Sequence, residues 1–273
     1  MRLFDRRAVL VVSTIRIETS NSLRISFQVT KDLKPTPNKA TIKVYNLSPT
    51  HQQQLESLAP SGIPVQLEAG YKEGTSQIFS GRLRVCHTMR EGPDLITTIE
   101  SGDGHEQIQQ SRVSTSFAKG ASNQTVLKTV ALAVGVAPGN LNDAANKLAG
   151  ASVYANGTVC FGSAAAEMTR ICRSLDLEWS VQSGKLQILP RSKALEGKAI
   201  RLSQDTGMLG QPSVDQKGVM SVHMEMQPNV FPGRLIVLEA LRLKGQYRIQ
   251  QTVHSGDSRS EEPWEVAAQA KKY

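Results

Sequence analysis

Strict alternation between apolar and polar residues is the feature that most constrains the fold of this chain. Leu23, Ile25, Phe27 and Val29 alternate with polar residues, and the same period of two returns over residues 40–44. Successive side chains of a strand point to opposite faces, so these segments predict strands with one buried face. No apolar run reaches the roughly 18 residues that a membrane-crossing helix needs, and we expect no direct membrane insertion.

The first hundred residues predict a small barrel or sandwich with one short helix. Pro35 and Pro37 end the strand before them and impose a loop, because proline lacks an amide donor. Ser48 is a suitable N-cap, Pro49 fits the first helical position, and Gly62 follows the expected helix end. Further strands are predicted at residues 65–67, 78–79, 83–85 and 95–99.

The pattern changes to an α+β module over residues 108–194. Ser122 to Val134 predicts an apolar helix that ends at Gly135, and Ser163 can cap a second helix. Ser183-Gly184 lies between two alternating segments, which indicates a hairpin. One buried thiol, Cys172, is expected on the second helix. The three cysteines include no close pair, which argues against a disulfide framework and fits a reducing cytosol.

Residues 195–273 are β-rich again. Apolar residues alternate with polar ones over 220–226, and Tyr247, Ile249, Gln251 and Val253 repeat that spacing. The methionines of the first stretch fit a barrel core better than an adaptable contact surface. The end, residues 267–273, is expected to fray. A segment of this size should pack on the first segment or on a neighbouring subunit.

The composition leaves two functional readings open. The formal net charge of +8 suggests nucleic acid or an acidic partner, but the lysines and arginines are scattered and no aromatic residues are interleaved with them. We favour a solvated basic surface. Trp264 is equally consistent with an interface anchor and with core packing.

Catalytic chemistry has little support in the sequence. The five histidines form no close ligand pair, and phosphate-binding and serine-hydrolase motifs are absent. His254 and Asp257 could form a base and its orienting group, but a turn at a strand end is favoured. Asp103, between two glycines, could be catalytic or a metal ligand, but a tight turn is favoured. Glu167 and Glu178 lack a partner at glycosidase spacing. We therefore predict no catalytic residue, no cofactor and no metal.

The segment from Pro37 to Gly81 resembles the first barrel domain of the tail baseplate hub proteins of contractile-tailed bacteriophages and tailocins. Similar pieces follow in the family's order through nearly the whole chain, and this order carries the resemblance. The motif positions, expected to be structural or to lie at interfaces, are Asn38, Asn46, Gly70, Tyr71, Phe79, Gly81, Gly207, Pro212, Pro232, Gly233 and Trp264.

The resemblance implies a β-rich α+β fold with two small β-barrel (tube-like) domains, at residues 1–107 and 195–273, and an inserted α+β module at 108–194. It implies a non-enzymatic homotrimer that lines a channel and joins the six-fold tail tube to the three-fold central spike. The implied partners are the tail tube or adaptor protein, the spike and the tape-measure protein, with genome DNA only in transit. The protein would be assembled in the host bacterial cytoplasm and reside in the virion.

Two alternatives stay open at this point. One is a hub or spike component of a related bacterial contractile injection or secretion system. The other is a peptidoglycan hydrolase, although we expect no appended spike or peptidoglycan-cleaving domain after Trp264 and expect any cell-wall digestion to belong to another subunit.

Overall fold

The computed structural model describes residues 5–19, 23–148, 153–259 and 263–273. The chain divides into two compact units. The sheet unit consists of Met1–Asp32, Asn38–Asp103 and Leu195–Tyr273, and the helical unit consists of Leu33–Pro37 and Gly104–Ala194. The β-rich α+β class is confirmed, while the division into three domains stays a prediction.

The first part of the sheet unit contains, within residues 5–19 and 23–103, seven strands and one helix. Its elements are β1 (Arg6–Val12), β2 (Ile15–Glu18), β3 (Ile25–Asp32), β4 (Asn38–Tyr45), α1 (Pro49–Leu58), β5 (Pro64–Tyr71), β6 (Gly74–Glu91) and β7 (Asp94–Asp103), with a 3₁₀ turn at Ala59–Ser61. Helix α1 is capped as predicted, because the Ser48 hydroxyl accepts a hydrogen bond from the His51 amide. The two strands predicted within residues 78–85 are one strand, since β6 runs without a break for 18 residues.

The helical unit contains short strands and four helices in residues 104–148 and 153–194. Its elements are α2 (His105–Gln110), β8 (Arg112–Phe117), β9 (Ala121–Ser122), α3 (Asn123–Val134), α4 (Leu141–Asn146), β10 (Val153–Tyr154), β11 (Thr158–Ser163), α5 (Ala164–Ser174), β12 (Leu177–Gln182) and β13 (Lys185–Pro190). Ser122 and Ser163 cap α3 and α5 as predicted, and Gly135 ends α3 with φ +79°. The β12–β13 hairpin is confirmed, and Cys172 is buried in this unit's own core.

The described residues of the last part of the sheet unit add six strands. They are β14 (Ile200–Leu202), β15 (Met208–Val214), β16 (Val219–Glu225), β17 (Leu235–Glu239), β18 (Lys244–Asp257) and β19 (Trp264–Lys272), with a 3₁₀ turn at Gln204–Thr206. They join the first seven strands in one sheet of order β15-β16-β19-β18-β3-β4-β7-β6-β5-β1-β2, with β17 and β14 branching from β18.

The antiparallel β3–β18 pair, which we call the seam, is where the first and last parts of the chain meet in this sheet. One hydrophobic cluster contains buried residues from both parts, from Ala8 to Ala270. The pairings among the described strands leave the sheet open at β15 and β2, so closure into two barrels is not observed in the residues described.

Strand β18 changes its buried face part of the way along. Tyr247 and Ile249 are buried as predicted, but a bulge between Ile249 and Gln251 inserts one residue. Because an extra residue reverses the alternation, Thr252 and His254 point into the core instead of the predicted Gln251 and Val253.

The end of the chain does not fray over the residues predicted to do so. Residues 264–272 form β19, which pairs with both β16 and β18. Its buried positions are Trp264, Val266, Ala268 and Ala270. Two of these four are alanines, so the alternation of buried and exposed residues does not appear in the sequence as an alternation of large apolar residues.

Candidate assembly interface

The seam is fastened at one end by an ion pair. The Arg24 guanidinium, on the approach to β3, donates to the Asp257 carboxylate of β18 at 2.7 Å from Nη2 and 2.9 Å from Nε. The guanidinium also lies 4.2 Å from the centre of the Tyr45 ring. The hydrogen bond to Asp257 is the main cause that raises the pKa of Arg24. This contact joins residues more than 200 positions apart.

An aromatic contact continues the seam into the core. Phe27 and Trp264 meet edge to face at 5.3 Å between ring centres. Both rings close over Gly256, where an added Cβ would lie 2.5 Å from Trp264 and 2.6 Å from Phe27. Trp264 is 6% exposed, so in this chain it packs in the core. Sequence reasoning missed Gly256, although a glycine inside a strand is a signal of close approach.

Asn46 and Gly81 both contribute to the packing of the first part of the sheet, Asn46 through hydrogen bonds and Gly81 by allowing close approach. Asn46 has φ +55°, and its side chain donates to Asp94 at 2.7 Å and accepts from the Leu95 amide at 3.0 Å. These bonds link the end of β4 to the start of β7. A Cβ at Gly81 would lie 2.6 Å from the buried Phe79 ring and 2.7 Å from the Gly102 carbonyl oxygen, so only glycine fits.

Two motif positions line a groove in the sheet unit, here called the hairpin groove, and a third borders it. Gly70 and Tyr71 lie on one wall, beside the β5–β6 turn, and residues 225–229 form the other. The groove has a volume of about 1090 Å³. A Cβ at Gly207 would lie 2.7 Å from Glu225, a groove residue. Burial, then the Glu225 carboxylate, raises the pKa of Tyr71 to about 12.

The remaining prolines and glycine of the motif shape the backbone. Pro212 lies in β15 where the pairing with β16 shifts register between Leu209 and Ser213. Proline fits there because a bulged position can lack an amide donor. Pro232 and Gly233 form the predicted turn, in which the Gly233 amide donates to Ile249 at 2.9 Å.

The acid–base candidates do not form a catalytic pair. Residues 254–257 are the end of β18 rather than a turn, and Asp257 is held by Arg24 while His254 faces the core. Burial, and then the charge of Lys31, lowers the pKa of His254 to about 3. Asp103 is also not in a turn, since it is the last residue of β7 and has no exposed surface.

Asn38 lies beside Asp103 in the sheet. Its side-chain amide nitrogen is 3.5 Å from the Asp103 carboxylate, and its carbonyl oxygen accepts from the Asp32 amide at 3.1 Å. Both residues are buried. Over the described residues, no group of three or more His, Cys, Asp or Glu side chains is arranged to hold a metal ion. No described helix has the length and apolar character to span a membrane.

The family model described as baseplate hub gp41 matches residues 7–264, and the chain therefore belongs to that family. This family is a structural one, a component of the phage tail baseplate, which implies a place in the virion.

Solved structures with the same fold include tail proteins. The chain is similar to the prophage MuSo2 43 kDa tail protein from Shewanella oneidensis, with 9% identity, TM-score 0.66 and 98% of each chain covered. It is similar to the tail protein from Neisseria meningitidis, with 7% identity, TM-score 0.66, and 98% and 97% covered.

A secretion-system protein shares the fold as well. An Escherichia coli component of the type VI secretion system, described as similar to the T4 bacteriophage tail proteins gp27 and gp5, matches with 9% identity and TM-score 0.59. The match covers 97% of this chain and 76% of that one. No curated protein sequence matches significantly. These identities establish the fold alone.

Proposed function

We propose that this protein is the structural hub of a phage or tailocin baseplate. Three copies form a ring that joins the six-fold tail tube to the three-fold central spike, contacts the tape-measure protein and lines the channel. The single observation that supports this most is the family match over residues 7–264. Assembly takes place in the host cytoplasm, and genome DNA only passes through.

The open ends of the sheet support an assembly with neighbouring chains. Among the described strands, β15 pairs only with β16, and β2 pairs only with β1. Leu209 and Val214 of β15 are 39% and 47% exposed. An unpaired edge is a site where another chain can add a strand, and an obligate ring would cover it. The bulge at Pro212 limits which strands fit.

The face of the sheet opposite the core suits a channel wall. Along the exposed side of β3 and β4 lie mostly neutral polar residues, including Gln28 and Thr41, and Glu100 of β7, opposite Thr41, is a diagonal neighbour of Lys39 and Lys43. DNA affinity grows with the number of phosphates that cations neutralise. With two lysines beside one carboxylate, this stretch offers few phosphate contacts, so DNA passes without being held.

The placement of the acidic candidates does not favour a hydrolase. Asp103 is enclosed in the core, and Glu167 is held by Arg170 at 2.6 Å. A general acid must reach the bond that it protonates. We therefore assign a non-enzymatic role to the chain. A hub in a bacterial contractile injection system is the second candidate, favoured by the shared fold of the Escherichia coli type VI component.

The oligomeric state of the purified chain tests the ring. We expect a trimer by light scattering, and we expect Val214→Lys to shift it towards monomer because the added charge lies on the β15 edge. The matched control is Leu241→Lys, which adds the same charge at a position 84% exposed outside the strands. A wild-type chain that stays monomeric at all concentrations, or equal disruption by both variants, contradicts the proposal.

A further inference from the structure

Three polar side chains stand in one row on the buried face of the sheet. The β3–β4 pairing ends with Thr30 opposite Lys39, and Lys31 and Asn38 are the next residues of the two strands. Asn38 in turn pairs with Asp103 on β7. Residues opposite each other on antiparallel strands have Cβ atoms about 5 Å apart. Lysine, amide and carboxylate are therefore neighbours across three adjacent strands.

The row is enclosed, which changes the chemistry of the lysine. Lys31, Asn38 and Asp103 are 5%, 3% and 0% exposed. Burial lowers the pKa of Lys31 to about 8, against the attraction of Asp103. A sizeable fraction of the amine is therefore neutral near physiological pH, and a neutral amine is a nucleophile.

The Asn38 amide is held in a way that activates its carbonyl carbon. The carbonyl oxygen accepts a hydrogen bond from the Asp32 amide at 3.1 Å, which would stabilise negative charge on that oxygen. The amide nitrogen lies 3.5 Å from Asp103 Oδ2. A carboxyl group beside the leaving nitrogen can deliver a proton to it.

We propose that Lys31 and Asn38 form an intramolecular isopeptide bond, with Asp103 as the proton shuttle. The Lys31 Nζ attacks Cγ of Asn38, and a new C–N bond forms. Asp103 takes a proton from Nζ and returns one to Nδ2, the bond between Cγ and Nδ2 breaks, and ammonia leaves. Asp103 ends in its starting state, and no oxidant or other reactant is consumed.

The bond would fasten β3 to β4 on the core side of the sheet. Strand β3 is also the first-part strand of the seam, so the cross-link would fix one side of the junction between the two parts of the chain. This inference concerns chemistry within one chain and is independent of the proposed hub assembly.

Peptide mapping of the full-length protein, purified folded and then digested with trypsin, tests the bond. We expect the peptide of residues 25–39 to be lighter than its sequence by one ammonia molecule, uncut after Lys31, with fragment ions that join Lys31 to Asn38. A peptide of unmodified mass, cleavage after Lys31, or ammonia loss confined to Asn38 as a succinimide overturns the proposal. The wild-type result decides without any variant having to fold.

Two variants assign the roles. Asp103→Asn keeps both bonding partners and removes the shuttle, so we expect the cross-linked fraction to fall at least tenfold. Lys43→Arg changes a lysine on the opposite face of β4 and should leave the cross-link complete. A cross-link that persists in full in Asp103→Asn contradicts the role of Asp103.

Discussion

The two parts of the chain that build the sheet unit bury their shared core by different means. Strands β3 and β4 contribute mainly branched or aromatic side chains at alternate positions, including Ile25, Phe27 and Ile42. Strands β18 and β19 combine large side chains such as Trp264 with small or polar ones, including Ala268, Ala270 and His254. One core is therefore built from a regular alternating apolar pattern in β3 and β4 and, in β18 and β19, partly from the close approach of side chains to the backbone at Gly256.

The largest effect should come from removing a large side chain of the first part. Ile42→Ala empties a position with no exposed surface and should lower the free energy of unfolding by about 2–5 kcal/mol. Thr41→Ala, on the exposed face of the same strand, should change it by less than about 0.5 kcal/mol. Urea unfolding of both variants makes the measurement, and equal losses would contradict the assigned face of β4.

The buried histidine of the last part should make stability depend on acid. The pKa of His254 is lowered to about 3 in the folded chain from 6.5. Between these values the unfolded chain binds the proton and the folded chain does not, so stability is complete above 6.5 and falls as the pH drops towards 3. The loss should reach a few kcal/mol.

Unfolding measured from pH 7 to 4 tests the histidine. His254→Leu should flatten this pH dependence by about one proton's slope, whereas Ser255→Ala, the next residue on the opposite face, should keep it. The charge of Lys31 acts on His254, and the charge of Asp103 acts on Lys31. Neither residue is changed in these two variants, so the comparison isolates the histidine. An unaltered slope in His254→Leu would show that this side chain is not the buried group responsible.

The close approach at the seam should show a smaller penalty for a single methyl group. Gly256→Ala places a Cβ against Trp264 and Phe27 and should cost about 1–3 kcal/mol through overpacking. Gly74→Ala is the control, since nothing lies within 4 Å of its Cβ position. Thermal unfolding compares the two, and a neutral Gly256→Ala would mean that the rings separate without cost.

The smallest loss of stability should come from removing the Asn46 side chain, whose hydrogen bonds link the end of β4 to the start of β7. Asn46→Ala removes two hydrogen bonds and places alanine at φ +55°, with an expected loss of about 1–2 kcal/mol. Asn46→Gly removes the same bonds but tolerates the backbone, so it should be the milder variant. If glycine is the worse of the two, the backbone conformation is not the source of the loss.

Local signals in the sequence are sufficient to predict helix starts, where a single capping residue decides the structure, and to predict which face of β3 and β4 is buried. Ser48, Ser122 and Ser163 each begin a helix as predicted, because a hydroxyl at the N-cap satisfies a backbone amide. The large alternating residues of β3 and β4 likewise fixed which face is buried. Those patterns depend only on neighbours in the chain.

The rest depended on contacts that no local pattern encodes. The bulge after Ile249 reverses the buried face of β18. In β19 two of the buried positions are alanines, so the sequence shows no alternation of large apolar residues there. The glycines that flank Asp103 predict a turn, whereas its partners in the fold, Asn38 and Lys31, lie more than 60 residues away in the sequence. Gly70 and Tyr71 line the hairpin groove and Gly207 borders it, and only the fold brings these three motif positions together.

The most direct test of the hub assignment is immunogold electron microscopy of particles from a producing culture, with an antibody to this chain and its copy number per particle by quantitative mass spectrometry. We expect label at the distal end of the tail and about three copies per particle, as for one cyclic trimer. Label along the whole tail with many copies, or no association with particles, would contradict the hub assignment.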